Sequence, residues 1–359
     1  MKTKIWQNLS LSISSLLVFL LLFEGALRIA GFDSKDKEKN PVSDEGQAFV
    51  FNVELNYPKF FKKDNLLFWK FRPSQRIESD FMMDGVYDIN SLGLRDREFS
   101  KKKNENVTRI ICMGNSCTFG WMIKQDQTYP KILEKMLREK YPHLGTEVVN
   151  AGITGYSSFQ GKRFLQNNII GLEPDIVTID FGWNDQWPAA SNIEDKNQKL
   201  PNQWILDLQD LLLRTEVYKF MKYVVFEFTS HPKEKQVSIT KSRVSLVDFR
   251  NNLEEMVGLC QSSNIKVILT TSPIAYYKEG YEGNKQYKLI YEVHQAYNEV
   301  VRKVASEMQV PLIDITKDFE NHSEYYDKGV FIHFNAKGSE AIAQSLSEYL
   351  VENDMLTEW

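Results

Sequence analysis

Four short segments of this chain carry side chains that suit one reaction. Ser116 lies in RIICMGNSCTFG (109–120), Gly155 in NAGITGYSS (150–158), Asn184 in GWND (182–185) and His333 in YDKGVFIHFN (326–335). A serine hydroxyl becomes a nucleophile when a base lies within hydrogen-bond reach. His333 can take its proton and return it to a leaving group. A tetrahedral intermediate on a carbonyl carbon also needs donors aimed at the oxygen that becomes negative. The Ser116 N–H can supply one. Gly155, which has no Cβ, lets its own N–H come close enough to supply a second, and the Asn184 side-chain amide a third. Each residue alone has a blander reading: a helix-capping or phosphate-loop serine, a turn glycine, a cap asparagine, an interface histidine. Only as a set do they describe a site.

The elements that must position this set can be read from the apolar pattern. Ile110 to Met113 is a short apolar run that delivers Ser116 onto a tight turn, where a helix can begin. Further strands run through Val148 and Val149, Asp175 to Phe181, Lys266 to Thr270, and Val310 to Ile315. Between them lie helical patterns. Pro130 marks a helix start whose inward stripe is Ile132, Leu133, Met136 and Leu137. Long helices cover Leu246 to Cys260 and Lys288 to Met308. In the latter, Ile290, Val293, Tyr297, Val301, Val304 and Met308 read as core and not as a cofactor box. Strands separated by helices predict a mostly parallel five-stranded sheet with helices on both faces, a flavodoxin-like three-layer α/β/α sandwich. Ligands of such sheets sit beyond the carboxyl ends of the strands.

In this order and at these strand ends, the set resembles the SGNH hydrolase family, also called GDSL-type esterases and lipases. Gly114, Asn115 and Ser116, continued by Thr118 and Gly120, stand for its first block. Asn150 and Gly152 leading to Gly155 match the glycine block, Gly182 to Asp185 the Gly-x-Asn-Asp block, and His333, Asn335, Lys337 and Gly338 the histidine block. The last is followed by a helix burying Ile342, Leu346 and Leu350. INSLGLRD (89–96) looks like the lead-in of bacterial members with an amino-terminal membrane segment. The resemblance spans about Thr108 to Leu350. It implies a serine esterase with Ser116 as nucleophile, His333 as base, and Ser116, Gly155 and Asn184 around the oxyanion.

Two departures stand out. Asn115 replaces the usual aspartate; either side chain can bond locally and accept a turn, so activity is expected to survive. The acid usually found three positions before the histidine is replaced by Val330, and the nearest upstream carboxylate is Asp327, six positions away. A triad acid fixes the imidazole tautomer and stabilises the imidazolium. Asp327 can serve if Gly329 lets the loop bulge; a backbone carbonyl or a distant carboxylate can serve instead; or the site has lost its chemistry.

Composition narrows the rest. The 359 residues carry a formal net charge of −4, which leaves no electrostatic footprint for nucleic acid. Cys112, Cys117 and Cys260 form neither a disulfide framework nor a zinc pattern, and the five histidines share no ligand spacing. No cofactor is called for. Cys117, beside Ser116, reads as a core thiol. Gly114 to Gly120 lacks the Gly-Lys-Ser/Thr ending of a nucleotide-binding P-loop.

The amino terminus stands apart. Lys2 and Lys4 precede an uncharged stretch, Ile5 to Phe23, near the lower length limit for crossing a bilayer. Glu24 and Arg28 follow at i,i+4. An uncleaved signal anchor over 1–32 is the preferred reading, ahead of a cleaved signal or a buried or surface helix. The leading lysines put the remaining chain on the extracytoplasmic side of the cell membrane. Residues 33–107 read as a linker followed by a strap whose aromatics (Tyr57, Phe60, Phe61, Phe68, Trp69, Phe71) pack across the hydrolase domain, 108–352. Within that domain, 187–241, with its aromatic run 217–228, reads as a cap or lid, or as a second membrane-facing surface. The expected substrate is an acylated carbohydrate or a lipid ester, with Trp183, Tyr156 and Trp187 as possible sugar platforms. An acyltransferase acting on an envelope polysaccharide, or an inactive glycan-binding protein, are the alternatives. Nothing in the sequence speaks to oligomeric state.

Overall fold

The computed structural model describes residues 2–32, 60–79, 85–189, 192–229, 241–276, 282–320 and 322–356. Tyr57 and the expected linker to its amino-terminal side fall outside them. Helix α1 (Lys2–Ile29) is the one described helix long and apolar enough to cross a membrane, a property that signal sequences share. Its apolar side chains from Ile5 to Leu22 are mostly exposed, while Phe23 is half-buried and Leu27 buried, and the expected Glu24–Arg28 pair forms at 2.6 Å.

Two antiparallel hairpins follow, β1 (Phe61–Asp64) with β2 (Phe68–Phe71), and β3 (Gln75–Ser79) with β4 (Gly85–Ile89). They are the strap. Strands this short are marginal alone, and these are held by burying Phe61, Phe68, Trp69, Phe71, Ile77 and Tyr87 in the main core. Then the alternating pattern begins: β5 (Val107–Gly114), α2 (Ser116–Phe119), α3 (Tyr129–Lys140), β6 (Gly145–Gly152), α4 (Ser158–Phe164) and β7 (Ile176–Asp180). The insertion contributes α5 (Gln203–Leu212) and α6 (Glu216–Thr229). After it come α7 (Leu246–Ser262), β8 (Lys266–Thr270), α8 (Lys285–Glu307), β9 (Leu312–Ile313), α9 (Ile315–Asp318) and α10 (Ala336–Glu352).

Strands β5 to β9 form one parallel sheet in the order β6-β5-β7-β8-β9. Successive side chains of a strand point to opposite faces, and β5 shows the consequence. Ile111 and Met113 join one core with α4, α7, α8 and the strap; Ile110 and Cys112 join the other, with α3 and α10. Because both faces are covered, the strands carry consecutive apolar residues, such as Ile110 to Met113 in β5, and not a strict alternation. The chain steps to one side of β5 to make β6 and to the other side to make β7. That reversal opens a crevice at the carboxyl end of β5, where Ser116 lies.

Candidate active site

The turn that carries Ser116 is set by close packing. A Cβ on Gly114 would lie 2.8 Å from the Asp180 carbonyl oxygen and against Thr118; one on Gly152 would lie 2.6 Å from the Thr118 carbonyl carbon. Only glycine lets α2 sit this tightly on β6. Asn115 caps α2, its Oδ1 accepting from the Cys117 N–H at 2.9 Å. Capping needs only an oxygen there, which asparagine supplies as well as aspartate.

His333 arrives from the other end of the chain. The segment before α10 is pinned by a bridge between Tyr326 and Phe334, by the Ala275 N–H donating to the Phe331 carbonyl at 3.0 Å, and by Asn335 capping α10. This sets His333 Nε2 2.8 Å from Ser116 Oγ. The imidazole lies against the Trp121 ring, with centroids 6.1 Å apart. Burial pushes its pKa down to about 4, so the ring is neutral at neutral pH and can accept a proton.

The structure does not bring Asp327 to His333. Gly329, at φ +83°, does bend the segment, but the bend closes a turn in which the Val330 N–H donates to the Asp327 carbonyl at 2.9 Å. The Asp327 side chain is left exposed. Among the described residues, Ser116 is the hydrogen-bond partner given to the His333 ring, and no carboxylate faces its other nitrogen. The arrangement is a Ser–His dyad.

Gly155 occupies φ +79°, a conformation that favours glycine. Among the described residues, no protein acceptor takes its N–H or that of Ser116. Arg243, buried and paired with Asp195 at 2.9 Å, donates to the Gly155 carbonyl at 2.8 Å. Asn184 Nδ2 donates to the next carbonyl, that of Tyr156, at 3.0 Å, which leaves its second N–H available. Asp185 holds the GWND turn by accepting from the Ser158 and Gly182 N–H groups, at 2.9 and 3.1 Å. Ser116 is thus in contact with His333, and Asn184 with the segment that carries Gly155.

Two arginines that support the site were not singled out as site residues in the sequence. Arg95, fully buried, donates to the Phe119, Gly120 and Ile123 carbonyls at 2.8, 2.5 and 2.7 Å, closing the carboxyl end of α2. It lies over the Tyr87 ring at 4.4 Å, and burial lowers its pKa to about 10. Its place after Gly93, between apolar and acidic neighbours, was the available signal. Arg243 stands at the end of the insertion, where no local pattern marks it. Asp96, next to Arg95, accepts from the Asn150 N–H at 2.8 Å and pairs with Lys131 at 2.7 Å, tying the same lead-in to β6.

Other candidates resolve into structure. Cys117 is buried with its thiol 3.6 Å from the Ile332 carbonyl, and burial pushes its pKa up, away from thiolate chemistry. Trp183 is buried against His294, with ring centroids 3.8 Å apart, and Tyr156 donates its hydroxyl to the Trp69 carbonyl at 2.6 Å. Both belong to the core and offer no platform; Trp187 remains half-buried. Among the described residues, no three His, Cys, Asp or Glu side chains converge as metal ligands.

A 52-residue stretch is 40% identical to an acetylxylan esterase of Geobacillus stearothermophilus, spanning 14% of this chain and 24% of that relative. Among solved structures, a hydrolase from the metagenome of Lake Arreo, Spain, is 17% identical, covering 70% of this chain and 97% of the other, with a TM-score of 0.45. The acetylxylan esterase Axe2 of Geobacillus stearothermophilus is 19% identical, covering 70% and 95%, with a TM-score of 0.43. The profile of the GDSL-like lipase/acylhydrolase family matches residues 112–341, from β5 into α10, and the chain belongs to that family.

Proposed function

We propose that the chain is a serine esterase acting on an acylated carbohydrate or lipid outside the cytoplasm, with Ser116 and His333 as its catalytic dyad. The observation that carries this reading is the 2.8 Å contact between Ser116 Oγ and His333 Nε2, two residues 217 positions apart. His333 takes the hydroxyl proton as Oγ bonds to the ester carbon. The Ser116 and Gly155 N–H groups and the free Asn184 N–H receive the oxyanion. When the intermediate collapses, the carbon–alkoxide bond breaks and His333 passes its proton to the departing alcohol. Water then attacks the acyl-serine, His333 takes its proton, and release of the acid returns that proton to Oγ. Without a carboxylate partner, and with burial disfavouring its charge, the imidazolium is offset by the oxyanion of the transition state.

Helix α1, with Lys2 and Lys4 in its first turn, supports an uncleaved anchor with the catalytic domain on the outer side. An envelope glycan or lipid would then be within reach, and an acetylxylan esterase among the relatives favours O-acetyl groups on sugars. The test is a panel of acetylated oligosaccharides, short-chain esters and long-chain lipid esters, assayed with and without a glycan acceptor. Release of free acetate, independent of acceptor, is the expected result. Acceptor-dependent transfer would make the chain an acyltransferase, and no turnover on any acyl ester would refute the reading.

A further inference from the structure

Helix α5 of the insertion buries Leu206, yet α5 and α6 each also carry an apolar stripe on another side. On α5, the exposed Asp207 pairs with Lys62 at 2.8 Å and the half-buried Asp210 with Arg72. The apolar stripe Trp204, Leu208 and Leu211, spaced i, i+4, i+7, is turned outward. Helix α6 repeats the pattern with Met221, Val225 and Phe228. These six side chains are between 47% and 84% exposed. A helix of a water-soluble domain normally buries such a stripe, and contiguous exposed apolar surface marks an interaction site.

Neighbouring contacts indicate what covers it. The other side of α6 is docked on the carboxyl end of α1. Phe220 packs edge-on against Phe23 and Phe32, at 5.5 and 5.4 Å, and the Val217 N–H donates to Glu24 at 2.9 Å. Arg28 reaches the Arg214 carbonyl, in the turn joining α5 to α6, at 3.3 Å. The exposed stripes therefore adjoin the carboxyl end of a helix whose apolar side chains nearer its amino end are mostly exposed. Lys222, exposed beside Met221, suits a headgroup region.

We propose that α5 and α6 form an amphipathic foot that lies in the headgroup–acyl boundary of the same bilayer that α1 enters, so that the hydrolase domain is seated on the membrane and not tethered above it. This rests on the reading of α1 as a retained anchor. The occupant is the lipid surface itself, reached by side chains that enter about 5–10 Å below the headgroups.

All three native cysteines are buried, so a polarity-sensitive dye can be placed on single introduced cysteines. Full-length Leu208→Cys, Val225→Cys and Phe228→Cys would be reconstituted in phosphatidylcholine vesicles with a minority of phosphatidylglycerol, with or without bromine on the acyl chains. Leu17→Cys on α1 and Lys135→Cys on α3 serve as inner and outer references, and ester turnover reports folding. Roughly twofold bromolipid quenching at 208, 225 and 228, matching 17 and absent at 135, is the expected result for a foot at that depth. Quenching at 17 alone would overturn the foot and leave the anchor standing. Quenching at none would overturn both. Shielding of 225 and 228 that grows with protein concentration and ignores bromine would assign the surface to a second copy of the chain.

Discussion

No carboxylate among the described residues orients His333, and on the proposed dyad reading its desolvation has a direct kinetic consequence. The neutral imidazole would then be the active base, and its pKa is pushed down from 6.5 to about 4. Protonation therefore switches the enzyme off only as pH falls through about 4. The kcat/KM profile on a neutral ester is expected to have its acid limb near there, and a limb near 6.5 would mean that a negative charge faces the ring. Replacing the acid of a Ser-His-Asp triad lowers turnover about 10⁴-fold. Because Asp327 is turned outward, Asp327→Ala is expected to change kcat/KM by no more than a few-fold; a loss on the triad scale would restore it to the site. Asn184→Ala, which removes one oxyanion donor, is expected to lower kcat about 10²–10³-fold with KM little changed. These residues differ in how legible they were. Ser116 and Asn184 each follow an apolar run that closes on a glycine, so their strand-end placement can be read directly. Where the Asp327 side chain points depends on the backbone angle at Gly329, which spacing along the sequence does not encode.

At the scale of elements, the lead-in and strap act as a brace for the nucleophile turn. Helix α2 is only four residues long, too short to be stable by itself, and it ends in carbonyls that no further helical turn can satisfy. Arg95 supplies donors to three carbonyls there, with its guanidinium close to the stacked rings of Tyr87 and Phe119. Hydrogen bonds from a charged donor are worth about 1.5–3 kcal/mol each, enough to offset burying a cation. Arg95→Met removes the charged donor from all three carbonyls and leaves Phe119 and Gly120 only the longer bonds from the Asn150 side chain and the Ile123 N–H, at 3.3 and 3.4 Å. It is expected to lower stability by about 1–3 kcal/mol or more, read as a fall in Tm, and to lower kcat more than it raises KM. Arg95→Lys should rescue neither fully, since an ammonium cannot reproduce the planar fork. Unchanged stability in Arg95→Met would remove the brace from the account. The five sheet strands were legible because short, largely apolar stretches separated by helical periods point to a parallel sheet, although the last is only Leu312–Ile313 where Val310 to Ile315 was expected. The hairpins of the strap were not, since strands of four or five residues take their form from the surface on which they dock.

For the whole molecule, two opposing sets of buried titrating groups surround the sheet's carboxyl end. His294 and His333 are each lowered to about 4 from 6.5, so the unfolded chain binds more protons between those values, and their contribution to stability is lost as pH falls. Asp180 and Asp185 are raised by burial from 3.8 to about 7 and about 6; their contribution is present at low pH and lost as pH rises through those values. Between pH 4 and 6 the two sets nearly cancel. Asp180→Asn, which keeps an acceptor oxygen for Ser272, removes one of the opposing slopes. Its unfolding free energy relative to the parent is expected to rise steadily from pH 4 to 7, and a constant difference would show that Asp180 is ionised in the folded state. The same region is where segments from β5, β6, β7 and the loop before α10 converge, and the account depends on that convergence. Its most direct test is peptide mapping after exposure of the full-length protein to a fluorophosphonate ester. A phosphonyl adduct on Ser116 in the parent, lost in folded His333→Ala, is the result predicted; a folded parent that takes no adduct, or labelling indifferent to His333, would contradict it.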